Sequence, residues 1–306
     1  MKMSDGFEIC LNRWMPDPEK EIKGIIQLHH GLAEHSMRYD RFGSVLADNG
    51  YVLNAYDMRG HGLTAEKSIE NGTGLFGKLA DKDGFNRVIE DLHEIITSFK
   101  NEYEGKKIIL FGHSFGSLIS QGFIEKYGSE IDKCILCGTS GPQRPLAFFG
   151  KIAVKIVRLF RGGDSIVNAL DKLTFGNYND HVKERKGEHD WLSANEMNIQ
   201  LYEMDKWCGF KLRTSFYDDM TSGLLQIHKP KNIKKIPLDL PVFFIYGTED
   251  PVGNYGKNIE TLYEIYKKNG MTKVDIKGYE GDRHEILNED NKEEIEQDII
   301  NWISRI

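Results

Sequence analysis

The chain has little cysteine and no long apolar run. Four cysteines among 306 residues are too few for a disulfide framework. No stretch of 18 uncharged apolar residues occurs, so the sequence predicts no membrane-spanning helix. Residues 1–10 carry Lys2, Asp5 and Glu8 and lack the apolar centre of a secretory signal, so we expect a cytoplasmic protein.

An excess of positive charge is also missing. The 40 Lys and Arg residues against 47 Asp and Glu residues give a net charge of −7. Because a protein that binds nucleic acid presents a basic face, this balance argues against a nucleic-acid partner. With 306 residues, of which 40% are hydrophobic, the chain can bury a large core as two domains or as one α/β domain with an insertion.

Motifs that would hold a metal or a nucleotide are absent or weak. Cys134 and Cys137 have CxxC spacing, but their apolar surroundings are typical of a buried strand. His29, His30 and His35 do not have the spacing of a zinc site, and no phosphate-binding glycine loop follows a predicted strand. Residues 57–62 (DMRGHG) favour a turn held by a hydrogen bond of Arg59 or His61 over a metal or phosphate site. We therefore expect no metal and no cofactor.

What the sequence does contain is an alternation of strands and helices. Apolar runs predict strands at residues 24–29, 51–56, 107–111, 134–137, 241–246 and 274–277. Amphipathic or apolar patterns predict helices at residues 41–46, 85–103, 115–127, 259–268 and 293–303. Such alternation is typical of an α/β fold with a mostly parallel sheet covered by helices on both faces.

The alternation is interrupted between Pro142 and Lys235, where only helical or irregular patterns occur. We therefore predict an α/β core formed by residues 1–141 and 235–306, with a helical cap inserted at residues 142–234. Residues 190–209 and 216–227 are predicted to be helical. Residues 146–160 combine many apolar side chains with Lys and Arg. They form either a helix packed on the sheet domain or one wall of an apolar substrate cleft that contacts a membrane surface transiently.

One motif carries chemistry. Residues 112–116 (GHSFG) follow an apolar strand and begin a predicted helix, which is the context that the G-x-S-x-G nucleophile elbow requires. The elbow is a strained turn, and small flanking residues let strand and helix approach closely. The sequence therefore predicts that Ser114 is a nucleophile, the alternative being a serine in an ordinary loop.

A serine nucleophile needs a base and an acid that orients it, in the chain order serine, acid, histidine. Asp250 follows a predicted strand directly and precedes a proline, which favours it over the neighbouring Glu249. His284 is the only histidine after His228, so chain order selects it as the base. By the same order His113 is a supporting residue rather than the base.

Acyl transfer also needs donors for the oxyanion. The backbone N–H of Phe115 and that of Leu32, in the loop after the first predicted strand, are the candidates for this oxyanion hole.

These motifs, together with residues 30–35 (HGLAEH) and 283–285 (RHE), resemble the α/β-hydrolase superfamily, specifically its monoacylglycerol lipase and lysophospholipase branch. The resemblance covers nearly the whole chain. It implies catalytic Ser114, Asp250 and His284, oxyanion donors at Leu32 and Phe115, and a helical cap. Many relatives have Gly-Ala-Gly where this chain has Gly-Leu-Ala, and the bulkier Leu32 narrows the acyl side of the pocket.

The function implied is cofactor-free hydrolysis of a small-molecule ester or lipid through an acyl-serine intermediate. The substrates expected are monoacylglycerols, lysophospholipids or short acyl esters. The alternatives are a thioesterase, an aminopeptidase of the same superfamily and a non-catalytic binding protein of this fold. The sequence predicts no oligomeric state.

Overall fold

A seven-stranded sheet forms the centre of the computed structural model, which describes residues 1–305. Its strands are β1 (Leu11–Trp14), β2 (Gly24–His29), β3 (Tyr51–Tyr56), β4 (Ile108–His113), β5 (Lys133–Cys137), β6 (Val242–Gly247) and β7 (Val274–Tyr279). They lie in the order β1-β3-β2-β4-β5-β6-β7. Every neighbouring pair is parallel except β1 and β3. The predicted α/β fold with a mostly parallel sheet is confirmed.

Helices cover both faces of this sheet. They are α1 (Asp40–Asp48), α2 (Gly62–Glu70), α3 (Gly84–Glu102), α4 (Phe115–Tyr127), α5 (Arg144–Arg161), α6 (Asn168–Phe175), α7 (Glu196–Met204), α8 (Thr214–Ile227), α9 (Pro230–Ile233), α10 (Lys257–Lys268) and α11 (Lys292–Ser304). One hydrophobic core contains side chains of α3, α4, α8 and α10. A second core, on the opposite face, contains those of α1 and α11.

Burial explains why the central strands are visible in the sequence. Every residue of β2 to β6 is buried, so these strands are continuous apolar runs rather than alternating ones. Cys134 and Cys137 are buried free thiols in β5, as predicted.

Between β5 and β6, the described chain contains helices α5 to α9 and no strand of the sheet. The prediction of one helix over residues 190–209 is wrong in part. Only α7 and a short 3-10 turn at Asp190–Leu192 are helical there, and Gly209 adopts a positive φ of 64°. Helix α8 packs against α3 and α4. The division into core and cap at residues 142 and 234 stays a prediction.

Within residues 1–305, no helix has both the length and the apolar character needed to cross a bilayer.

Candidate active site

Ser114 lies in a sharp turn between β4 and α4. Its φ of 53° and ψ of −121° are unfavourable for a residue with a side chain, which is the strain expected of a nucleophile elbow. The flanking glycines permit the turn. A Cβ at Gly116 would lie 2.2 Å from the carbonyl oxygen of His29, and one at Gly112 would lie 2.3 Å from Ser120 Oγ. Only glycine therefore lets β4, α4 and the end of β2 come this close together.

Asp250 and His284 form a buried pair. Asp250 follows β6, His284 follows β7, and Nδ1 of His284 lies 2.8 Å from Oδ2 of Asp250. The other carboxylate oxygen accepts a hydrogen bond from the backbone N–H of Val252 at 2.8 Å. Because an ionised carboxylate only accepts, Nδ1 of the neutral ring carries the proton, which leaves Nε2 as an acceptor. Glu249 has an exposed side chain, so Asp250 is the acid that contacts the histidine.

Ser114 and His284 line one cavity. Among residues 1–305, the hydrogen bonds of the structure do not include one from Ser114 Oγ to the imidazole of His284. In unliganded enzymes such catalytic contacts are commonly long and shorten only when substrate is bound. The structure thus joins the predicted acid to the predicted base and places the predicted nucleophile in the same cavity. The catalytic roles of the three residues stay a prediction.

The two backbone groups predicted to hold an oxyanion also belong to residues that line this cavity. Phe115 is the first residue of α4, so its N–H has no acceptor within the helix. Among residues 1–305, neither this N–H nor that of Leu32 donates to a protein acceptor. Two such free N–H groups can stabilise a negative oxygen that develops in the cavity.

The loop that carries Leu32 is held by a buried carboxylate, that of Glu34, which the sequence did not predict. Oε1 of Glu34 accepts hydrogen bonds from the Gly31 N–H at 2.6 Å and from the Tyr39 hydroxyl at 2.9 Å. The same oxygen lies 3.0 Å from Nδ1 of His113. Burial opposes ionisation, but the His113 hydrogen bond and nearby positive charge hold the pKa of Glu34 well below its usual value. His113 therefore supports the site from beside Ser114, as predicted.

Arg38 joins this loop to the loop that carries His284. Its guanidinium donates to Glu34 at 3.1 Å and binds both carboxylate oxygens of Glu285, one of them at 2.7 Å. It also donates to Oδ1 of Asn198 on α7 at 3.1 Å. Although burial opposes it, Arg38 lowers the pKa of Glu285. The network is thus made of ionised, mutually neutralised groups.

One group of side chains within residues 1–305 has ligand atoms close enough to hold a metal: His35, Asp205 and Cys208, within 4.8 Å of one another. Nε2 of His35 already bonds to Oδ2 of Asp205 at 2.8 Å. Burial raises the pKa of the Cys208 thiol, so this sulfur keeps its proton. We therefore interpret the group as a hydrogen-bonded contact between the Leu32 loop and residues 205–208.

Residues 57–62 form the predicted turn. Nδ1 of His61 bonds to the carbonyl oxygen of Arg59 at 3.0 Å, and Arg59 is held by Asp91 at 2.6 Å.

The cavity has a volume of about 410 Å³ and mostly apolar walls. Helices α5, α6 and α8 supply many of these walls, with side chains such as Leu146, Ala147, Val154, Leu170, Phe175, Met220 and Leu224. Trp191 closes the side near His284, with its ring centroid 5.2 Å from that of the imidazole. Helix α5 therefore forms a wall of this cavity, and the interpretation of residues 146–160 as a wall of a substrate cleft stays a prediction.

Comparison with known proteins gives a consistent picture. Residues 20–291 match the family model described as serine aminopeptidase, S33. The chain is 23% identical over 302 residues to a monoacylglycerol lipase of Mycolicibacterium smegmatis, covering 97% of this chain and 93% of that protein. It is 23% identical over 286 residues to human monoglyceride lipase, covering 92% and 81% of the two chains.

Among solved structures, a thermostable carboxyl esterase from Bacillus coagulans has 27% identity and a TM-score of 0.89, covering 99% of this chain and 96% of that one. The monoacylglycerol lipase of Paleococcus ferrophilus has 21% identity and a TM-score of 0.72, with 97% and 98% coverage, and supports the fold. The resemblance to the monoacylglycerol lipase-like branch is confirmed, and at a coarse level the comparisons support an ester hydrolase. The chain belongs to the serine aminopeptidase, S33, family of α/β-hydrolases.

Proposed function

We propose that this protein is a serine hydrolase that cleaves carboxylic esters through an acyl-Ser114 intermediate. The observation that carries the proposal is the buried hydrogen bond between Asp250 and His284, whose ring opens into the same apolar cavity as Ser114. The free N–H groups of Leu32 and Phe115 support it, because they provide donors where the carbonyl oxygen of an ester would become negative.

In this proposal the imidazole of His284 takes the proton of Ser114 as its hydroxyl oxygen attacks the ester carbonyl. Asp250 holds the ring in the productive tautomer and stabilises the imidazolium that forms. The tetrahedral intermediate collapses as His284 protonates the departing alcohol, which leaves the acyl group on Ser114. Water, activated by the same ring, then releases the carboxylic acid and restores the serine.

The substrates we propose are monoacylglycerols, lysophospholipids or short acyl esters. Mostly apolar walls and a volume of about 410 Å³ suit an acyl chain. Both proteins named above as relatives are lipases of monoacylglycerol or monoglyceride. We place the acyl chain between α5, α6 and α8, which assigns the predicted cap, residues 142–234, to substrate binding.

The outer face of α5 supports contact with a lipid surface. Leu159 and Phe160 are 80% and 79% exposed, and Lys155 and Arg161 lie on the same helix. Apolar side chains flanked by basic ones are typical of helices that lie on a membrane surface. We propose that this face approaches membrane or micellar substrate transiently.

The cavity disfavours an aminopeptidase, the main alternative within the family. Binding a substrate amine requires an unpaired carboxylate, and among residues 1–305 the carboxylates that line the cavity are those of Glu34 and Glu285. Both are paired with Arg38, and Glu34 also contacts His113. Neither carboxylate is therefore available to an amine.

The decisive test is Ser114→Ala. We expect kcat on p-nitrophenyl esters to fall roughly 10³–10⁶-fold, because the nucleophile is removed, while the melting temperature stays close to that of the wild type. Labelling by a fluorophosphonate probe should disappear in Ser114→Ala and persist in Ser129→Ala, a control at an exposed serine. Full activity or labelling in Ser114→Ala would refute the proposal.

A further inference from the structure

A short segment of chain crosses the loop that carries His284. We call residues 190–195, which lead into α7, the strap. Nη1 of Arg283 donates to two strap carbonyls, those of Asp190 at 2.7 Å and Ser193 at 2.9 Å. The backbone N–H of Glu285 donates to the carbonyl of Leu192 at 2.7 Å. The residues on either side of His284 are thus tied to the strap.

The carboxylate of Glu289 also joins the strap to the loop that carries His284. It accepts hydrogen bonds from the Ser193 hydroxyl at 3.0 Å and from the backbone N–H groups of Ala194 and Asn195 at 2.8 and 3.1 Å. It also accepts one from the backbone N–H of Arg283 at 3.0 Å. Glu289 is only 2% exposed, so four donors from two segments converge on one buried carboxylate.

The strap places Trp191 against the imidazole. The Trp191 ring lies 5.2 Å from that of His284, and its backbone N–H is held by Oδ1 of Asn179 at 2.8 Å. The ring of His113 lies 4.9 Å from that of His284. At Gly138 even an added Cβ would approach His284 Cε1 to 3.2 Å. The histidine ring is therefore enclosed, and the strap supplies one wall of the enclosure.

We propose that Glu289 and Arg283 are positioning residues for His284, acting through the strap and Trp191. The proposal rests on the proposed function, because it assigns His284 the role of base. The ring must keep Nδ1 on Asp250 while Nε2 serves Ser114, and a displacement of about 1 Å can reduce a rate about 10²-fold. For metal-bound histidines, the loss of outer hydrogen-bonding partners lowers activity or affinity roughly 10- to 100-fold, and we expect an effect on kcat of the same size here.

If Glu289 had a purely structural role, its substitution would change the melting temperature and leave kcat unchanged. Glu296 provides the matched comparison. Glu296 is a carboxylate that is 3% exposed and paired with Arg41, on helix α11 and outside the lining of the cavity. Glu289→Gln and Glu296→Gln are the same chemical change at equal burial. In Glu289→Gln the amide NH₂ would face groups that are themselves donors, so strap contacts are lost.

The experiment measures kcat and KM on a short p-nitrophenyl ester, the rate of fluorophosphonate labelling, and the melting temperature. We expect Glu289→Gln to lower kcat and the labelling rate roughly 10- to 100-fold with KM changed less than about 3-fold, since positioning affects the reacting groups more than ester binding. Glu296→Gln should leave kcat unchanged. Proton NMR observes the hydrogen-bonded Nδ1 proton of His284. We expect its signal to disappear in Glu289→Gln, because the proton exchanges faster with water, and to persist in Glu296→Gln.

If Glu289→Gln does not fold, Arg283→Met replaces it, because a thioether has no hydrogen to donate to the two strap carbonyls that Nη1 of Arg283 binds. Wild-type kcat and an intact Nδ1 proton signal in a folded variant at either position would overturn the proposal. Failure of wild-type protein to label at Ser114 would instead overturn the proposed function. The two outcomes can be told apart, because the Nδ1 proton signal reports on how the strap holds His284 even in a protein that has no activity.

Discussion

At the scale of single residues, the adjacent acids Asp250 and Glu249 offer an internal comparison. Asp250 is buried against His284, whereas Glu249 is exposed. Asp250→Asn should lower kcat about 10⁴-fold, because an amide that donates to Nδ1 stabilises the wrong tautomer of the ring. Glu249→Gln should change kcat little. Steady-state kinetics on one soluble ester checks both variants, and equal losses would contradict the assignment of the acid.

Glu125 on α4 is a second residue whose environment makes a prediction. Burial raises the pKa of its carboxyl to about 9, although Lys235 opposes this, from an ordinary value of 4.5. The folded protein therefore holds a proton that the unfolded chain loses, and stability falls as pH rises from about 4.5 to 9. Glu125→Gln should raise the free energy of unfolding at pH 7 by about 3 kcal/mol, with little change at pH 4.

Urea unfolding at the two pH values measures this effect, with the exposed Glu104→Gln as control. A gain in Glu125→Gln that is equal at both pH values would show that ionisation is not its cause.

At the scale of elements, variants on the outer face of α5 distinguish binding to a lipid surface from hydrolysis of the ester. Leu159→Ser and Phe160→Ser remove exposed apolar groups that do not line the cavity. Each such side chain, if buried at an interface, contributes roughly 1.5–3 kcal/mol, so the double variant should act at least 10-fold more slowly on monoacylglycerol in vesicles. Its kcat on a soluble short-chain ester should be unchanged.

The matched control for α5 is Leu238→Ser, which changes a half-exposed leucine just before β6. Equal behaviour of the double variant and this control on vesicles would exclude α5 as the contact surface.

At the scale of the whole molecule, buried neutral histidines set the response to acid. Burial lowers the pKa of His29 to about 3 and that of His228 to about 4, from an ordinary value of 6.5. The unfolded chain binds these protons more tightly, so the stability from keeping the rings neutral is present above pH 6.5 and lost as pH falls towards 3. Calorimetry of the Glu125→Gln variant, which lacks the opposing gain in stability from that carboxyl, should show the melting temperature falling steadily from pH 6.5 to pH 4. An unchanged value across this range would contradict the argument.

How much of the fold could be predicted depended on burial. The predicted bounds of residues 24–29, 51–56 and 115–127 coincide with β2, β3 and α4, because elements that are buried over most or all of their length leave a strong apolar signal. Strand β1 was missed because its four residues, LNRW, lie at the sheet edge and are only partly buried. Residues 205–209 were misjudged as helical because only Gly209, which adopts a φ of 64°, marks the turn in the local sequence.

The candidate site could be predicted only where the signal lies in a short stretch of sequence. Ser114, Asp250 and His284 each follow a predicted strand, and a known chain order selects them. The Arg38 network and the strap could not be predicted, because the Arg38–Glu285 pair joins residues 247 positions apart and has no local pattern.

The central position of β4 in the sheet determines when activity is lost during unfolding. Ser114 follows the fourth of seven strands, with three strands on each side among the described residues. Fraying of a parallel sheet begins at its margins, where backbone amides exchange with solvent first. Mild heat or denaturant should therefore loosen β1 and β7 while the elbow keeps its shape, and inactivation should coincide with deuterium uptake in β4 rather than with the first uptake anywhere.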